Sequence, residues 1–180
     1  MSEFANPAAS NEADTRAYVH SLLQLLGDRD PLETLRATPN AVRQLVESVS
    51  PERLSTPEAP GKWSMLHVTQ HLADSELVGS FRFRMVLAHD RPAIAGYDQD
   101  LWADRLRYAD ANLQDALASF TTLRHANLAL LERASPTERE RVGIHAERGE
   151  ESLGHMMKLY AAHDLVHLRQ LARIRAAVKD

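Results

Sequence analysis

A chain of 180 residues and 20.2 kDa, 44% hydrophobic and 26% charged, carries enough apolar surface for a packed core and too much for a disordered segment. Its 21 basic and 25 acidic side chains leave a formal charge of −4, which offers no electrostatic footprint for nucleic acid or an anionic membrane. Cysteine is absent, which excludes disulfides, thiolate–metal sites and a cysteine nucleophile and fits a cytoplasmic location.

Residues 1–11 lack the charged-then-apolar order of a targeting segment and read as a flexible arm, with residues 12–180 as a single domain. No stretch approaches the roughly 18–20 apolar residues of a membrane span. The first helical block runs from Glu12 to Leu26 and stops at Gly27, a residue suited to a left-handed C-cap. Asp30, Pro31 and Glu33 then supply an acid cap, a proline at the first helical position and a capping-box glutamate. Thr38-Pro39 reads as the start of another short segment, so residues 12–50 form a kinked or segmented arm. Pro51, Pro57 and Pro60 mark a connector.

The second block, Ser64 to Ala88, has apolar residues on more than one face and therefore packs against two neighbours. A loop with Pro92, Gly96 and Tyr97 leads into Asp98–Trp102. The third block, Ala111 to Ala134, is amphipathic, and Ser135-Pro136-Thr137-Glu138 caps a further turn or two. Val142 to Glu151 holds two glycines and suits a short extended or hairpin segment. The fourth block, Ser152 to Val178, ends among Arg169, Arg173, Arg175 and Lys179, whose charge complements the helix dipole. Short connections and scarce strand signals make this an all-α bundle of four main helices.

The chain's nine histidines are informative by position. In the fourth block Leu153, Met156, Tyr160, His163, His167, Leu171, Ile174 and Val178 recur in steps of three or four and share one face. His163 and His167 thus take consecutive slots where the pattern calls for apolar residues, and imidazoles at i and i+4 can bind one metal ion. A lone inward histidine is usually a hydrogen-bonded core residue. Two in succession are harder to place, because each unpaired buried imidazole costs about 1–3 kcal/mol.

In the second block His67, His71, Asp74, Val78, Phe81 and Met85 share a face, so a third imidazole can converge on the pair. Spacing alone does not choose between His67 and His71. Asp74 and Asp164 are candidates to orient a ligand imidazole, or plain carboxylates. Tyr160 is a pocket or packing residue, and His145 and Glu147 sit in a loop able to approach a site. His20, His89, His125 and His155 read as solvent or helix-flank residues. The chain lacks His-Glu-x-x-His, Gly-x-Ser-x-Gly, a phosphate-cradling loop and a dinucleotide fingerprint, and only Asp164–His167 has the acid-x-x-His form of a di-iron bundle.

An ordered set of motifs resembles the DinB/YfiT-like superfamily. The set comprises Gly61-Lys62-Trp63-Ser64, His71-Leu72-Ala73-Asp74-Ser75-Glu76, Arg91-Pro92 with Tyr97–Trp102, His145–Glu150 and Tyr160–Gln170. The resemblance places a metal triad on His71, His163 and His167, with His67 outside it. It also implies an up-down-down-up four-helix bundle, a homodimer, and zinc or nickel as the divalent ion. The activities it implies are transfer of a low-molecular-weight thiol to an electrophilic small molecule, thiol-dependent isomerisation, or hydrolysis of a small substrate. A non-catalytic metal-binding bundle acting as a sensor or dimeric scaffold, and a bundle without metal, are the alternatives.

Overall fold

Small polar residues write most of the helix ends in the computed structural model, which describes residues 12–178; the expected arm at residues 1–11 lies outside them. Helix α1 (Glu12–Leu26) stops where Gly27 takes a φ of +58° and donates its N–H to Leu23 at 2.9 Å. Helix α2 (Pro31–Glu47) starts at Asp30, whose carboxylate accepts from the amides of Leu32 (2.7 Å) and Glu33 (3.1 Å). Contrary to the sequence expectation, α2 runs through Pro39 without restarting. A proline there has no N–H for the Leu35 carbonyl one turn earlier. That carbonyl accepts instead from Arg124 Nη1 at 2.6 Å, so a tertiary contact replaces the missing helical bond.

Helix α3 (Met65–Ala88) begins at Ser64, α5 (Leu113–Arg133) at Asn112, and the short α6 (Pro136–Arg139) at a full Ser135/Glu138 capping box. Helix α4 (Gln99–Arg105), capped by Asp98, was not expected. The hairpin expected at 142–151 forms as β2 (Val142–His145) and β3 (Gly149–Ser152). A two-residue strand, β1 (Ala93–Ile94), adds to it in parallel. Helix α7 (Leu153–Val178) follows directly. No helix among the described residues is long and apolar enough to cross a membrane.

Two apolar clusters fix the bundle's directions. One gathers Leu35 of α2, Phe83 and Val86 of α3, Leu128 and Leu131 of α5, and Met156 and Leu159 of α7. The other gathers Val42 and Val46, Met65, Val68 and Leu72, Leu117 and Phe120, and Leu171 and Ile174. Following each helix from one cluster to the other gives α2 and α7 one direction and α3 and α5 the opposite one. This is the up-down-down-up four-helix bundle, and the long connection through α4 lets α5 run parallel to α3. Helix α1 packs against α7.

Between the clusters the interior turns polar. His71 and Glu76 of α3, Arg124 and Asn127 of α5, and Asp164 and His167 of α7 are all buried there. The face of α3 expected to point inward does so at His71 but not throughout, since Phe81 is 66% exposed. The inward positions of that half are Gly79, Arg82, Phe83 and Val86. Gly79 turns in because the Tyr160 ring needs the room: a Cβ there would lie 2.7 Å from Tyr160 Cε1.

Candidate metal centre

Helix periodicity alone brings His163 and His167 of α7 onto one face, and the antiparallel packing of α3 on α7 supplies His71. The Nε2 atoms of His71 and His167 each stand 3.0 Å from His163 Nε2, and all three side chains are within reach of a single ion. Two nitrogens bound at about 2.0–2.1 Å to one tetrahedral ion stand roughly 3.3 Å apart, so the spacing suits a shared cation. Hydrogen bonding accounts for it poorly. A ring nitrogen offers one in-plane hydrogen or one lone pair, which cannot satisfy both neighbours of His163 Nε2. The buried His71 Nδ1 has no partner either.

Protonation favours ligation. His167 Nδ1 donates to Gln170 Oε1 at 2.8 Å, which leaves the lone pair of the neutral ring on Nε2, facing the other two imidazoles. Burial pushes His167 down to about 4, against the Gln170 hydrogen bond, which acts the other way. Burial likewise holds His71 and His163 well below the usual histidine range, with the neighbouring imidazoles adding to the effect. Three neutral nitrogen donors fit a borderline divalent ion.

The same depression makes the metal-free protein acid-sensitive. An imidazole held below its unfolded value of about 6.5 binds protons more readily once the chain unfolds. Stability is therefore complete above about pH 6.5 and falls as the pH drops through the folded values. Urea midpoints of chelated protein at pH 7, 5.5 and 4.5 should decline in that order; a midpoint that rises on acidification contradicts it.

His67 stands apart, half-buried, with Nδ1 2.8 Å from the Ser64 hydroxyl at the start of α3. The two candidate orienting carboxylates do not reach an imidazole. Asp74 accepts from the Tyr108 hydroxyl at 2.6 Å and from Gln70 at 3.2 Å. Asp164 accepts from Arg124 at 2.6 and 3.0 Å. Asp74 is rotated about 60° from His71, and Asp164 about 60° from His167 and about 100° from His163, enough for Tyr108 and Arg124 to claim them. Gln170 takes the orienting role, and its i+3 offset from His167 was the readable sign of it. Replacing Gln170 with leucine should weaken metal affinity about 10–100-fold by competition with a chelating dye, the range typical of a lost orienting partner. Unchanged affinity contradicts that role.

A cavity of about 100 Å³ reaches His71 and His163. Ser75 and Arg82 of α3, Tyr97, Gln99, Arg148 of the hairpin turn, Tyr160 and residues of α1 complete its wall. Tyr160 is thus both a lining residue and a packing partner of Phe83, 4.9 Å between ring centroids. Trp63 packs on the His71 ring at 5.0 Å and Trp102 on Tyr97 at 4.5 Å. His145 is buried in the hairpin, outside the triad, and accepts from the Glu147 amide at 3.1 Å. Burial, with Arg148 nearby, lowers it to about 4. His20, His89 and His125 are exposed as expected, and His155 is half-buried at the start of α7.

Comparison with known proteins supports the fold and identifies the family. The sequence pattern of the DinB superfamily matches residues 34–171. A protein of Bacillus licheniformis named as a "putative metal-dependent hydrolase" is 31% identical over 163 residues, covering 89% of this chain and 86% of its own. "Putative metal-dependent hydrolase YfiT" of Bacillus subtilis is 29% identical over 146 residues, 79% of this chain and 82% of that one. The solved structure of YfiT, titled "a probable metal-dependent hydrolase with an unusual four-helix bundle topology", matches with a TM-score of 0.73 at 24% identity. It covers 94% of this chain and 91% of that one. The matched span takes in most of every main helix of the bundle and all three converging histidines, and the chain belongs to the DinB superfamily.

Proposed function

We propose that the protein is a metal-dependent enzyme that activates a nucleophile against an electrophilic small molecule, with His71, His163 and His167 holding one zinc or nickel ion. The observation that carries this reading is the pairing of three protein donors with an adjoining cavity. Structural zinc sites are closed by four ligands, whereas catalytic ones keep a position open. A divalent ion bound by three neutral imidazoles keeps its full charge and lowers the pKa of a thiol or water brought to it.

The chain's part is to hold the imidazoles neutral, to fix the His167 ring through Gln170 and to shield the site with Trp63 and Tyr160. With no cysteine in the chain, sulfur has to arrive on a diffusible low-molecular-weight thiol. Transfer of that thiol to the electrophile, forming a carbon–sulfur bond as the electrophile's leaving group departs and the thiol proton passes to solvent, is the reaction proposed. Hydrolysis is the second reading, favoured by the names of the relatives.

Zinc-loaded protein assayed with 2-mercaptoethanol and monochlorobimane, and separately with an activated ester, tests both. Turnover with the thiol that disappears on chelation supports transfer, and chelator-sensitive ester cleavage alone supports hydrolysis. Full turnover after chelation contradicts both. Association as a homodimer belongs to the same proposal, supported by the exposed apolar side chains of Leu77, Phe81, Leu101 and Leu106. Light scattering should give twice the 20.2 kDa chain mass; the monomer mass contradicts it.

A further inference from the structure

Guanidinium groups leave water at a cost of several kcal/mol unless an anion meets them. Two arginines near the site obey that rule: Arg124 is paired with Glu76 and Asp164, and Arg148 with Glu151. Arg82 does not. Its residue is only 8% exposed, yet among the described residues no carboxylate pairs with it. Nη2 donates to the Ala95 carbonyl, a further hydrogen bond joins the side chain to the Tyr160 hydroxyl, and the guanidinium lies over the Tyr97 ring, 5.9 Å from its centroid. None of these contacts supplies a negative charge. The Nε–H is buried without any partner.

Arg82 also lines the cavity that reaches His71 and His163, and none of the residues lining that cavity is acidic. The wall therefore presents one uncompensated positive charge, with the neutral polar groups of Ser75, Tyr97, Gln99 and Tyr160 around it. A single charge matches a monoanion better than a phosphate dianion, and the planar fork of a guanidinium matches a planar carboxylate. At about 100 Å³ the cavity has room for several water-sized groups, enough for a carboxylate on a short arm.

We infer that the molecule entering this cavity carries a carboxylate and that Arg82 is the residue that binds it. The inference rests on the metal-site reading, because that reading makes this cavity the substrate's place. Arg82 thereby selects substrates by charge, while the imidazole triad takes the other end of the molecule. Arg148, already neutralised by Glu151, contributes little to the selection.

The test uses the zinc-loaded full chain and two probes of equal shape, 3-mercaptopropionate and 3-mercaptopropionamide, with affinities measured by ligand-detected NMR. The acid should bind at least fivefold more tightly than the amide to the unaltered protein. In Arg82→Gln the preference should fall below fivefold. Should that variant not fold, the unaltered protein labelled with ¹⁵N gives a second readout. Its Arg82 Nε–H resonance should move with the acid and stay with the amide.

An acid preference below fivefold in the unaltered protein overturns the inference. So does a preference that stays above fivefold in Arg82→Gln, or an Arg82 resonance that does not respond to the acid. Failure of the metal reading looks different. In that case propionate binds as tightly as 3-mercaptopropionate, and chelation changes nothing, whatever Arg82 does.

Discussion

Replacing Arg124 with methionine is expected to destabilise the protein by about 3–5 kcal/mol, the usual consequence of removing one partner from a buried ion pair. The Arg124 side chain is only 2% exposed and joins three helices at once. Nη1 and Nη2 donate to Asp164 of α7, Nη2 reaches Glu76 of α3 at 2.9 Å, and Nη1 meets the Leu35 carbonyl of α2. Burial opposes the arginine's charge, yet the two carboxylates outweigh it and raise its pKa. Glu76 also accepts from Asn127 Nδ2 at 2.8 Å, so the network closes on itself.

Without Arg124, two carboxylates remain buried and unpaired, and the carbonyl exposed by Pro39 loses its donor. Urea unfolding of Arg124→Met should register the loss as a lower midpoint. A triple variant that also carries Glu76→Met and Asp164→Leu should recover most of it, because apolar side chains of similar volume need no counter-charge. A loss below about 1 kcal/mol in the single variant, or no recovery in the triple one, contradicts this reading of the polar waist.

The second large effect belongs to His163. Its Nε2 is the hub of the imidazole cluster, 3.0 Å from each of the other two. His163→Leu should lower zinc affinity by more than about 100-fold, beyond the range seen for losing an orienting partner alone. Metal analysis after gel filtration should fall from near one ion per chain to a small fraction of that. Stability should respond differently from the Arg124 case. Leucine removes a buried nitrogen that hydrogen bonding serves poorly and sits on a stripe already lined with apolar residues. The metal-free variant should thus unfold at a urea concentration no lower than that of metal-free native protein. Retained stoichiometric zinc contradicts the ligand assignment.

The contrast between these residues also explains what the sequence made legible. Histidines at i and i+4 on one apolar stripe announce themselves within a single helix, as do the caps at Asp30 and Ser135. Gly27 marks the end of α1 for the same local reason. Contacts between helices carry no such local mark. Arg124 is an arginine inside an amphipathic block, and only the bundle reveals that it faces Glu76, Asp164 and the Leu35 carbonyl. That contact keeps α2 continuous through Pro39, where local rules alone predict a break.

Asp74 and Asp164 were plausible orienting groups by proximity in sequence, but helical rotation turns them toward Tyr108 and Arg124. The choice between His67 and His71 was open for the opposite reason, since the two share a face and differ only in height along it. Strand β1 and helix α4 leave no legible mark in the sequence because two and seven residues are too few to display a period. Arg82 and Arg148, which give the cavity its charged wall, come from separate elements and acquire meaning only through the packing that joins them.

X-ray absorption at the zinc edge, on protein reconstituted with one equivalent of the ion, probes the imidazole cluster most directly. The predicted spectrum has three imidazole nitrogens at about 2.0–2.1 Å, together with a further light-atom position that exchanges when a thiol is added. A shell dominated by carboxylate oxygens, or zinc that washes out at equimolar concentration, would contradict ion binding by His71, His163 and His167.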